Sequence, residues 1–205
     1  MPPSSSAIVE DISALQAAGL ASLAFFYFDF RDPNKQDLRG ALASILTQLS
    51  ARSGSRCEIL SRLHVAHDDG AHQPSTSSMI SCLKEMLALP EQGPVFIILD
   101  ALDECPNTSG IPSSREEVLD SLKDLVGVQL SNAHLCVTSR PEIDIRTALE
   151  PLAFRPLSIH DQQGQQEDIE DFIRAVAYSD RKMRRWRHND RELVINTLIE
   201  KADGM

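Results

Sequence analysis

Residues 95–104 read Val95-Phe96-Ile97-Ile98-Leu99-Asp100-Ala101-Leu102-Asp103-Glu104. The apolar run follows Gly93 and Pro94 and stops at an acid, which is the length and composition of a central strand. Asp100 is thereby delivered to the strand's carboxyl end, with Asp103 and Glu104 three and four positions on. Hard cations take oxygen ligands, and a magnesium ion bridging nucleotide phosphates is commonly held by one carboxylate at such a strand end. Asp100 has the position for that ligand. Asp103 or Glu104, one turn beyond, has the position for a group that orients or deprotonates an attacking water. The same acids also suit an ordinary helix start after a strand, because negative charge is favourable at a helix N-terminus.

Working outward, strand and helix patterns alternate. Leu23–Phe28 is a short apolar and aromatic run, the pattern of a strand buried on both faces, and Leu135–Val137 reads as a third strand that ends in Thr138-Ser139-Arg140-Pro141. Ile8, Ile12 and Leu15 recur at helical spacing before Gly19. Asp37 can cap a helix carrying Leu38, Leu42, Ile45, Leu46 and Leu49 on one stripe. Further helices are expected around Cys57–His67, after a loop over Asp68–Ser78, and from the capping box of Ser113 and Glu116. A short helix at Ile143–Leu149, a strand near Phe154–Ile159 and helices around Glu167–Tyr178 and Arg191–Lys201 complete the chain. The alternation predicts an α/β fold, a doubly wound parallel sheet covered by helices.

Composition bounds the partners. With 205 residues and 42% hydrophobic content the chain can fill one sizeable core, and its net charge of -10 argues against general nucleic-acid binding, which needs a basic surface. Cys57, Cys82, Cys105 and Cys136 form no CxxC pair, which fits a reduced, cytoplasmic setting. No apolar run approaches the length of about 20 residues that a membrane span needs.

The pattern of apolar residues, Asp100, small Ala101, apolar Leu102, Asp103 and Glu104 resembles the extended Walker B motif of the NACHT family of P-loop NTPases, in the STAND class. The nearest branch is the fungal NACHT proteins with a nephrocystin-like N-terminal domain, often joined to ankyrin or WD-type repeats. Ile8–Ile12 with Gly19-Leu20-Ala21-Ser22, the segment FFYFDFRD ending at Asp32, Leu135–Glu142, and MRRWR followed by KADGM carry the same resemblance. It implies a partial NACHT core over 1–178 and a truncated helical extension over 179–205. It also implies an ATP- or GTP-dependent conformational switch in signalling that needs Mg2+, and partners that are further copies of the chain or other NACHT proteins. By the same resemblance, Thr138 and Arg140 match the position after the fourth strand where a polar or cationic side chain reads the γ-phosphate.

The family's phosphate-binding loop, G-x-x-x-x-G-K-[ST], has no counterpart in this sequence. Lys35, Lys84, Lys123, Lys182 and Lys201 are the only lysines and none follows a glycine. Without cradling amides and a lysine, Asp100 is expected to hold Mg-nucleotide weakly and hydrolysis to be poor. Both ends of the chain are expected to be cut. The strand before the missing loop would normally sit beside the sensor strand, so the sheet is expected to close up, recruit a strand or stay open. Rival readings are a catalytically dead module that docks on full-length relatives, by completing its sheet with their strand, and a fragment with no independent activity.

Two side clusters have plainer readings. His64, His67, Asp68, Asp69 and His72 read as a solvated surface rather than a metal site. Arg181-Lys182-Met183-Arg184-Arg185-Trp186-Arg187 is the basic cluster of the chain and reads as a charged segment whose tryptophan packs on the domain.

Overall fold

In the computed structural model of the chain, residues 5–90, 93–108, 110, 112–156 and 165–202 are described. They fall into two compact units divided between Phe154 and Arg155.

The first unit is built on a three-stranded parallel sheet in the order β1 (Ser22–Tyr27), β2 (Val95–Asp100), β3 (Ala133–Val137). Ser22 pairs with Val95 and Val95 with Ala133, so all three strands bring their carboxyl ends to one edge. The sheet is of the α/β class, open and parallel with helices on both faces, consistent with an incomplete sheet of the P-loop type.

Alternation along the strands divides the core. Ala24, Phe26, Val95, Ile97 and Leu99 join one buried cluster with the apolar stripes of α2 (Leu38–Ser50), α4 (Thr76–Leu87) and α5 (Ser114–Gly127). On the opposite face, Leu23 and Ile98 pack with Ile12 of α1 (Ser5–Ala17), and the partly buried Phe25, Phe96 and Cys136 border them. α1 ends as expected near Gly19, whose φ of 73° needs no side chain, and Leu20 N–H closes the turn on Leu15 O at 3.0 Å.

The caps read from sequence are made. Asp37 accepts from Gly40 N at 2.8 Å, and Ser113 and Glu116 form the reciprocal capping box of α5. α3 (Gly54–Val65) and α6 (Ile143–Leu149) also form where expected. The loop expected over Asp68–Ser78 is shorter, because Ser75 accepts the N–H of Ser78 and starts α4 at Thr76, while residues 68–70 form a 3-10 turn.

The second unit consists of α7 (Gln165–Ser179) and α8 (His188–Ala202), packed on one another with Ala177 and Ile195 buried. Between them Arg191 donates to the carbonyls of Met183, Arg184 and Trp186, and Asp180 accepts from Lys182 N and Met183 N. Trp186 is 45% exposed in that turn. The strand expected near Phe154–Ile159 does not form over 154–156, where Phe154 is fully exposed and Pro156 has no N–H to donate; 157–159 lie outside the described residues. Among the described residues, no helix is long and apolar enough to cross a membrane.

Candidate functional site

The carboxyl ends of β2 and β3 form the site, and their parallel register decides which residues meet there. Leu99 pairs with Val137, so Asp100 and Thr138 leave the sheet side by side. The Thr138 hydroxyl donates to the Asp100 carboxylate, and its oxygen accepts the N–H of Ala101 at 3.1 Å. Its carbonyl takes the N–H of Leu102 at 3.0 Å. One threonine therefore holds three successive residues at the end of β2.

The turn that follows depends on Ala101, which is left-handed at φ 55° and ψ 47°. That conformation crowds any Cβ, and a β-branched side chain most of all, so the turn carries local strain at Ala101. Leu102 is then driven into the core with no exposed surface, and residues 102–104 form a 3-10 turn. The turn sends the two remaining acids sideways to different neighbours. Asp103 accepts the main-chain N–H of Arg140 at 3.0 Å, and its other oxygen lies 3.4 Å from the Arg140 guanidinium. Glu104 accepts the N–H of Phe30 at 3.2 Å, which ties the β2 turn to the loop after β1.

All five sequence-predicted residues, Asp100, Asp103, Glu104, Thr138 and Arg140, thus lie on adjacent strand ends or the turns that follow. Asp103 and Glu104 are engaged with main-chain donors on opposite sides, and Arg140 is 82% exposed with its guanidinium beside Asp103. Asp100 presents oxygen chemistry suited to a hard cation, with a hydroxyl as its immediate neighbour.

The loop after β1 borders the site. Arg31 grips Asp29 with its main-chain N–H, Nε at 2.9 Å and Nη2 at 3.0 Å, and these hydrogen bonds hold the Asp29 carboxyl down at a pKa of about 2. Phe30 between them is 65% exposed, and the Arg31 guanidinium lies 5.7 Å from its ring centroid.

Sequence reasoning missed Arg115. It is buried in the first turn of α5, where its Nε donates to Cys105 O at 2.9 Å and its Nη2 to Asp103 O at 2.6 Å. Its Nη1 meets Glu142 at 2.7 Å and Asp144 at 3.2 Å. Burial pulls its pKa down and the two carboxylates outweigh that, for a net rise. Asn107 completes the group, donating to Asp144 at 3.0 Å and accepting from the Ser113 hydroxyl at 2.9 Å. A positive charge two residues after a helix N-cap runs against the helix dipole, and that local misfit was the signal available in the sequence.

The histidine cluster is dispersed by comparison. His72 pairs with Asp68 at 3.0 Å and His64 lies 3.7 Å from Asp69, all four exposed, and no group of metal-binding side chains is assembled among the described residues.

Comparison with curated proteins returns no match. The family model described as nephrocystin 3, N-terminal, matches residues 4–140, a span that takes in α1, all three strands and each of the five candidate residues. With two thirds of its length so matched, and its strand ends assembled over that same span, the chain belongs to the nephrocystin 3 N-terminal family.

Proposed function

We propose that the chain is the magnesium-binding and sensor part of a NACHT-type P-loop NTPase, whose parent domain switches conformation with ATP or GTP in signalling. The observation that carries this reading is the hydrogen bond between Thr138 and Asp100 at adjacent parallel strand ends. It is supported by the family match across the same residues. Asp100 holds Mg2+, Asp103 or Glu104 handles the attacking water once released from its main-chain partner, and Thr138 and Arg140 sense the terminal phosphate. Release is needed because each acid now accepts from a backbone N–H. With no glycine-lysine loop in its sequence, this chain by itself holds Mg-nucleotide weakly and hydrolyses it poorly.

Calorimetric titration with Mg-ATP and Mg-GTP, alongside phosphate release, tests the reading. Weak, unsaturated heats without turnover are expected, weakened further in Asp100→Asn. Micromolar binding that Asp100→Asn abolishes would sink the claim of an impaired site, and binding indifferent to Asp100→Asn would sink its assignment as the metal ligand.

A second reading, a module that docks on relatives or on further copies by adding a strand, is favoured by one feature. β3 pairs with β2 on one side and, among the described residues, with no strand on the other. Light scattering across a concentration series separates it from the first: a monomer at every concentration, alone and mixed with a full-length relative, speaks against strand addition.

A further inference from the structure

We propose that Arg115 is a positioning residue that makes the turn after β2 and the turn after β3 a single mechanical body. This rests on the reading of that edge as a nucleotide-responsive site.

The guanidinium is used as a fork with two ends. The edge carrying Nε and Nη2 faces the β2 turn, donating to Cys105 O and Asp103 O, and Arg115 N–H adds a third carbonyl of the same stretch, Pro106 O, at 3.1 Å. Nη1 faces the other way, to Glu142 and Asp144 at the start of α6. Residue 140 lies between these anchors. Its N–H reaches Asp103 Oδ1, the side chain of the very residue whose carbonyl Arg115 holds, and Glu142 N–H returns to Arg140 O at 2.8 Å. Arg115 thus closes a ring, Asp103 to Arg140 to Glu142 and back to Asp103, through the Asp103 carbonyl and the Glu142 carboxylate.

Two costs at this position point the same way. The side chain is only 6% exposed, and burying a guanidinium is expensive unless it is fully paired. Its charge also opposes the helix dipole. Broken local rules concentrate where a fold serves a site, and this one grips the carbonyl of the water-handling acid on one side and the start of α6, just after the sensor arginine, on the other. A lysine cannot replace it, because one ammonium on a flexible stem cannot address carbonyls on one edge and carboxylates at the opposite end. The consequence is coupling. A pull on the Arg140 turn is transmitted to Asp103 through the ring, and release of Asp103 for chemistry requires both turns to move.

Native-state hydrogen exchange of the full chain, read without nucleotide, tests this. The Arg140 amide is followed against the Thr138 amide, which bonds Leu99 O in the sheet. Asp103→Asn sets the rate for a weakened acceptor. Arg115→Lys is expected to speed Arg140 exchange by roughly tenfold while Thr138 is unchanged, and adding Asp103→Asn to it should give little further increase. An unchanged Arg140 rate overturns the proposal, as does acceleration shared equally by Thr138 or strict additivity of the two substitutions, each the mark of a merely structural arginine. Should Arg115→Lys fail to fold, Glu142→Ala with Asp144→Ala removes both acceptors, cuts the ring from its other end and must produce the same local change. Failure of the nucleotide reading would appear in the calorimetry and leave the exchange result standing, so the two are told apart.

Discussion

The Thr138 hydroxyl donates to the Asp100 carboxylate while its oxygen accepts from Ala101 N–H. Thr138→Val keeps the shape and removes both bonds, leaving a main-chain N–H without its partner. A loss of about 1–3 kcal/mol in urea unfolding is expected, with Thr138→Ser close to wild type. A wild-type midpoint for Thr138→Val would show that water replaces the hydroxyl without cost.

Ala101 occupies left-handed backbone at φ 55°. Ala101→Val should lower stability by about 1–2 kcal/mol, whereas Ala101→Gly should not, since glycine takes this conformation without a Cβ clash. Equal midpoints for the two variants would mean that the turn rearranges.

Leu102 is the buried floor of the acidic turn. Leu102→Ala should cost about 2–5 kcal/mol, for the lost apolar contact plus the cavity left behind. Chemical denaturation measures it, and a loss below 1 kcal/mol would show collapse of the site around the gap.

Arg31 holds the Asp29 carboxyl at about 2, below its ordinary value of 3.8. A depressed acid stabilises the fold above its unfolded pKa, and that contribution is lost as pH falls through the folded value. Carbon-detected NMR titration should find the Asp29 midpoint near 2 and its return toward the ordinary range in Arg31→Ala. An unmoved midpoint in that variant would remove Arg31 as the cause.

Burial raises the Cys105 thiol to about 12, and its Sγ donates to Gln36 O at 3.1 Å. Burial raises Cys82 as well, while Cys57 is exposed. In mildly alkaline buffer a disulfide reagent should label Cys57 at once and Cys82 and Cys105 only on unfolding. Early labelling of Cys105 would mean that the loop over it opens freely.

What could be read from sequence follows a physical line. β1 and β2 announce themselves because strands buried in a parallel sheet leave continuous apolar runs, while β3, with exposed His134 inside it, shows only Leu135–Val137; α2 and α5 are legible because Asp37 and Ser113 cap them from within the local sequence. Asp100 was legible because it ends a strand, and Thr138, the residue after β3, only through the family resemblance. Arg115 was not, since its four acceptors come from residues 103, 105, 142 and 144, joined only by the pairing of β2 with β3. Nor were the resting partners of Asp103 and Glu104, because the left-handed Ala101 decides where those acids point, and alanine gives no hint of positive φ.

The unequal covering of the sheet has a last consequence. Within the first unit and among the described residues, the larger buried cluster draws on α2 to α6, whereas the face under α1 has Ile12, Leu23 and Ile98 as its buried contact. Local opening free energy scales with the apolar contact that must be broken, so α1 can peel away as a subglobal unit while the rest stays folded. The half-buried Cys136 beneath that face then becomes a natural thiol clock for breathing of the domain.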